Sequence, residues 1–172
     1  MTMHNGGEKP NAIVDRAAAP CPDDVGTQIR DMCLNQRFSL SELPVVEMYV
    51  TWERVRRGDH DGAIPVMRQS VEDLFIRGQF MYCVAVTAFL VKTLLDRATE
   101  SDLAEAESAI DRLAAVASDG WVARDIVLLR LRALLAKAYG DETGYRDYRD
   151  RYRAMATSLG FEGHMKWAEA MG

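Results

Sequence analysis

An all-α fold of stacked antiparallel helical hairpins is predicted by three features of the sequence. Apolar residues recur at three- and four-residue intervals from residue 39 onward, with no segment alternating apolar and polar as a half-buried strand does. Three polar turns, Gly58-Asp59-His60-Asp61-Gly62-Ala63, Thr99-Glu100-Ser101-Asp102-Leu103-Ala104 and Gly140-Asp141-Glu142-Thr143-Gly144-Tyr145, begin 41 residues apart. Each turn is followed by an apolar seam at alternating three- and four-residue spacing: Ile64, Met67, Val71, Leu74; then Ala106, Ile110, Leu113, Ala117; then Tyr145, Tyr148, Tyr152, Met155, extended to Leu159. A hairpin of two helices cannot bury its apolar face alone, so a repeat of this length implies units that cover one another.

The elements follow in chain order. Residues 1–22 hold Gly6, Gly7, Pro10, Pro20 and Pro22 with few large apolar groups, and are expected to be a flexible tail. Residues 23–172 form one domain on this reading. Val25, Ile29, Met32 and Cys33 suit a short amphipathic helix ending near Arg37, and Ser39 with Glu42 has the capping-box spacing that starts the next helix. Helices are expected at 42–57, 62–76, 80–97, 102–118, 121–138 and 142–159, with a short one at 164–171. In the first helix of each hairpin Val45, Val86 and Val127 are equivalent, and Tyr49, Leu90 and Leu131 follow on the same face. Gly58 suits a left-handed C-cap, Asp59 or Asp61 an N-cap, and Pro65 a first helical turn. The joints between hairpins are Ile76-Arg77-Gly78-Gln79 and Ala117-Ser118-Asp119-Gly120-Trp121.

The chain closes on LGFEGHMKWAEAM, residues 159–171. Gly160 stands where a helix C-cap is expected, Phe161 can fold back on the preceding helix, and Gly163 frees the chain to turn. Trp167 and Met171, four apart, share a face, so the last helix is expected to cap the stack by docking Trp167 on its end. Trp167→Ala should then lower stability and His164→Ala do little. His164 and Glu169, five apart, do not share a face as metal ligands at i and i+4 would.

Composition narrows the function. With 172 residues, 48% of them hydrophobic, the chain can bury one sizeable core. Its 26 acidic and 21 basic residues leave a formal charge of −5, which offers nothing to nucleic acid or an anionic membrane. Cys21, Cys33 and Cys83 are odd in number and widely spaced, which suits reduced thiols of a cytoplasmic protein better than a disulfide framework or zinc site. No apolar run reaches membrane-spanning length, and the first residues lack the basic and apolar regions of a signal peptide.

Candidate chemistry is sparse. Arg57-Gly58-Asp59 within the first turn reads as a turn and not as an adhesion signal, and the acidic residues there lack the further oxygen ligands of a calcium loop. The stretch 145–153 puts its tyrosines on one face and Arg146, Arg149 and Arg153 on another, a core seam beside a charged face. Glu105 and Glu107 read as the wet side of their helix. His4, His60 and His164 lie in a tail, a turn and a terminal segment, and no nucleophile-base pair can be argued from them. No enzyme activity and no cofactor or metal are therefore expected.

Gly58 with Ala63 five residues later resembles the tetratricopeptide repeat, which has a small pair at that separation; in the third unit Tyr145 takes the small residue's place. Leu159 to Met171, after the helix over 145–158, looks like the end of mycobacterial and related actinobacterial regulators that join a cyclase or LuxR-type DNA-binding domain to an ATPase module and tetratricopeptide-like helices. The resemblance implies a tetratricopeptide-like superhelix of about three repeats plus a C-terminal capping helix, serving regulation. First helices of such a stack line its inner face, so the polar residues Glu47, Thr51, Arg54, Thr87, Lys92, Arg124 and Arg130 are the candidates for a partner-binding groove. The expected partner is a protein or peptide, or a second copy in a homodimer. The alternative is a small-molecule-sensing domain that biases a linked cyclase or DNA-binding module.

Overall fold

The computed structural model describes residues 43–117 and 120–172, and seven α-helices account for most of them, with no strand among the described residues. The expected tail at 1–22, the helix at 23–37, the capping box of Ser39 and Glu42, Cys21, Cys33, and Ser118 and Asp119 of the second joint all lie outside the described residues.

The helices are α1 (Leu43–Arg56), α2 (His60–Ile76), α3 (Phe80–Arg97), α4 (Glu100–Ala114), α5 (Val122–Tyr139), α6 (Glu142–Leu159) and α7 (Glu162–Ala170). Each packs on the next, and the first helices of successive hairpins also touch, α1 with α3 and α3 with α5. The second helices α2 and α4 meet through long side chains instead: Arg68 donates to Glu105 at 2.6 and 2.5 Å, and Arg112 to Glu72 at 2.5 Å. The Arg112 guanidinium also lies 4.0 Å from the Phe75 ring centre. A cleft of about 200 Å³ remains between these two helices.

Caps fix where the hairpins turn. Asp59 accepts a hydrogen bond from the Gly62 N–H at 2.9 Å, and Asp141 does the same for Gly144 at 2.9 Å. In the second hairpin the device changes: Thr99 and Asp102 form a reciprocal capping box. The N-caps at 59, 99 and 141 are therefore 40 and 42 residues apart. With Asp59 as the cap, α2 starts two residues earlier than expected, so Pro65 falls in the second turn. The chain exits α5 through Gly140 and α6 through Gly160, both left-handed.

The main core gathers the first seam whole, Ile64, Met67, Val71 and Leu74, with Ala106, Ile110 and Leu113 of the second. Ala117 is exposed, because α4 ends at Ala114. In the third seam Tyr145 and Tyr152 are buried, Tyr148 and Met155 are half-buried, and Leu159 is exposed; Ala156 takes its place in the core. Tyr145 packs against Ala133 and Ala136 of α5, so the small residue of that hairpin has moved from the second helix to the first.

The buried face of α1 differs from expectation. It runs through Pro44, Met48 and Thr51, and leaves Tyr49 59% exposed. Val45 lies outside the described side chains. Val86, Leu90 and Leu131 are buried and Val127 half-buried, as the repeat register predicts. Cys83 is buried in α3, and desolvation pushes its thiol up to about 11, so it is held as a neutral thiol.

A buried acid ties three elements together. Asp102, 1% exposed, accepts from Arg97 Nε at 2.9 Å and Nη2 at 2.6 Å, and from the Thr99 N–H at 3.1 Å. The third guanidinium nitrogen of Arg97 donates to Asp61 at the start of α2, at 2.6 Å. Hydrogen bonding to Arg97 holds the Asp102 carboxyl well below the usual carboxylate range against the opposing effect of burial. No helix among the described residues is long and apolar enough to cross a membrane.

Candidate functional site

An open groove of about 560 Å³ is walled by α1, α3, α5 and the C-terminal segment. Its floor follows from helix periodicity: Val84, Ala85, Ala88 and Phe89 form a stripe along α3, and Ile126, Val127 and Arg130 the matching stripe along α5. The aromatic walls come from further apart, with Trp52 on α1, Trp121 at the start of α5, Phe161 at the start of α7 and Trp167 within it. All three tryptophans of the chain therefore line one groove. Trp52 is 41% and Trp167 49% exposed, with Trp52 leaning on Phe89 at 5.5 Å between ring centres.

The C-terminal wall is an aromatic cluster around His164. Its ring meets Trp167 edge-on at 5.1 Å and Tyr152 edge-on at 5.7 Å, with Phe161 at 6.0 Å. The Tyr152 hydroxyl, deep in the core, lies 2.9 Å from His164 Nδ1. Burial, helped by the positive charge of Arg130, lowers the His164 pKa, and burial pushes Tyr152 up to about 12. Both are neutral at pH 7. The Arg130 guanidinium lies over Trp167, 4.3 Å from the ring centre.

This arrangement corrects the part expected of Trp167 in capping the stack. The buried residue of α7 is Ala168, flanked by half-buried Met165 and Met171, which pack with Ile126, Tyr152 and Ala156. Trp167 stands on the groove side, and α7 begins at Glu162, so Gly163 is helical and does not turn the chain. Phe161 joins the groove wall. His164 is more than a bystander, because it satisfies a buried hydroxyl.

The seven polar residues singled out in the sequence separate into groups. Lys92 and Arg130 line the groove. Thr51 and Thr87 are buried: Thr51 lies on the inner face of α1 and donates to the Glu47 carbonyl, while α3 is central enough to bury Thr87 as well. Arg124 is half-buried, bonding Asp125 at 2.8 Å and the Val116 carbonyl. Glu47 is half-buried and Arg54 exposed, and neither lines the groove. The aromatic walls are not legible from polar residues on first helices; the sequence signal for them is the large rings Trp52, Phe161 and Trp167, which stay exposed.

Among the described residues the titratable groups that line the groove are Lys92, Arg130 and His164, and Lys92 is engaged by Asp96 at 2.7 Å. Among the described residues no three His, Cys, Asp or Glu side chains converge as metal ligands would. What the site offers is apolar and aromatic contact area with a cationic flank. No protein-family model matches the chain, and no curated protein and no solved structure matches it.

Proposed function

We propose that this chain is a non-catalytic interaction module, a tetratricopeptide-like superhelix that holds a segment of another protein in its aromatic groove. The observation that carries this reading is the convergence of all three tryptophans with Phe89 and Phe161 on one open groove of about 560 Å³. Exposed rings gathered on one surface mark an interaction site, and Trp and Tyr dominate binding hot spots. The contacts of α1 with α3 and of α3 with α5 support the superhelical part of the proposal, since they line up first helices beside the groove. A cytoplasmic setting in a regulator with a cyclase, ATPase or LuxR-type part belongs to the proposal through the resemblance of the C-terminal stretch.

The test is a selection of displayed amphipathic peptides on the purified protein, followed by affinity measurement on Trp52→Ala and Phe89→Ala variants. The expected result is at least tenfold weaker binding by either variant with the fold intact by circular dichroism. Peptides that bind both variants as well as the parent would sink the proposal.

A second reading is favoured by size: about 560 Å³ lies within the range of small-molecule sites, roughly 300–1,000 Å³. On that reading a small effector fills the groove and biases a linked module. Saturable one-to-one thermal stabilisation by a single metabolite, lost in Trp52→Ala, is what it expects.

A further inference from the structure

The polar lining of the groove has one sign. Among the described residues its charged lining is Lys92, paired with Asp96, and Arg130, and no carboxylate lines it, in a chain with more acids than bases. Most of the described arginines have found a carboxylate: Arg68 pairs with Glu105, Arg97 with Asp61 and Asp102, Arg112 with Glu72. Arg130 differs. Among the described residues its guanidinium makes no hydrogen bond and no ion pair, although it is half-buried and its pKa is lowered by desolvation; its contact is the face of Trp167. A guanidinium stays charged in any protein setting, so partial burial without a counter-charge is unfavourable. A carboxylate brought by a ligand removes that cost and gains a forked, charge-assisted pair.

The form of the occupant follows from the walls. Three first helices side by side at roughly 8–10 Å between axes span about 16–20 Å, the length of about 11–13 helical residues. A helix laid in such a groove presents apolar anchors at i, i+4 and i+7, and acidic residues beside them reach the flank. We infer that the groove takes an acidic amphipathic helix from another protein, its apolar face on Trp52, Phe89 and Trp121 and a carboxylate on the Arg130 guanidinium. This rests on the docking reading above and adds the shape and charge of the partner. Self-association that competes with the peptide distinguishes a second copy of this chain from such a helix.

The experiment is selection from a displayed library of 14-residue helices with fixed apolar positions and randomised flanks, on the parent protein and on Arg130→Gln. Selected peptides are then resynthesised with their flanking Asp and Glu exchanged for Lys. Expected on the parent are enrichment of Asp and Glu and at least tenfold tighter binding of the acidic form, shrinking to threefold or less in Arg130→Gln. Should Arg130→Gln fold poorly, salt gives the same readout: the preference for the acidic peptide over its Lys form falls on the parent between 50 mM and 500 mM salt.

Binders with neutral or basic flanks that still need Trp121 would overturn this inference and leave the docking reading standing. Failure to select any groove-dependent peptide would overturn both. Displacement of the acidic peptide by dodecanoate at equal or lower concentration would assign the groove to a small amphiphilic acid. A self-association that competes with the peptide would assign it to a second copy. Either of these last results overturns the partner named here.

Discussion

Tyr152 and His164 join α6 to α7 through one polar contact inside an aromatic cluster, so the ring nitrogen is worth more than the half-exposed position of His164 suggests. His164→Ala should cost about 1–2 kcal/mol, because it leaves a buried hydroxyl without its partner. Chemical denaturation measures this, and an unchanged midpoint would contradict it. The groups around His164 are Tyr152 from α6, Arg130 from α5, and Phe161 and Trp167 from its own segment, none of them acidic. Its folded pKa lies below the unfolded value of about 6.5, so the unfolded chain takes up the proton first. Stability from this site is complete above about pH 6.5 and is lost as pH falls through the lower folded pKa. Melting temperatures from pH 7.5 to 5 should fall less steeply in His164→Gln than in the parent. Asp102 acts lower on the scale: its folded pKa is depressed, so its contribution is complete above about pH 4 and lost under stronger acid. Asp102→Asn should lower the melting temperature at pH 7 by roughly 5 °C or more, through loss of charge-assisted bonds and of the α4 capping box, and should flatten the acid limb of the pH profile.

Helix ends decide where each element starts, and two glycines show how tightly. A Cβ on Gly62 would come 2.5 Å from an Asp59 carboxylate oxygen, and one on Gly144 would collide with the Asp141 carboxylate in the same way, whereas Gly163 has open space around it. Gly163→Ala should therefore stabilise by about 0.5–1 kcal/mol through backbone entropy. Gly62→Ala and Gly144→Ala should give no gain, since displacing the cap forfeits about 1 kcal/mol. Thermal melts of the three variants test the contrast. Much at this scale was legible in sequence: the 41-residue period, the turn signals, and the whole seam of α2. The misses have physical causes. A tyrosine at 49 reads as core by spacing, but the inner face of α1 runs one residue earlier, through Met48, and turns Tyr49 outward. Leu159 loses its seam position because Gly160 ends α6 directly after it, and small Ala156 fits beneath α7 instead.

At the scale of the molecule, first helices pack directly while α2 and α4 are bridged by ion pairs, and the groove opens on the first-helix side. The helical class and the hairpin order could be read from periodicity because each hairpin is local in sequence. The groove could not, since Trp52, Trp121 and Trp167 are far apart in the chain and share no repeat position; only packing brings them together. Lys92 and Arg130 stand out in sequence as cations on first helices, whereas Thr51 and Thr87 are small enough to be buried, Thr51 with its hydroxyl on the Glu47 carbonyl of its own helix. The three tryptophans of the proposed binding groove report on it without interference from any other. The protein labelled with 5-fluorotryptophan gives three fluorine resonances, titrated with a selected peptide. All three should shift and saturate together at one peptide per chain. A tightly bound peptide that leaves the three resonances unmoved would contradict it.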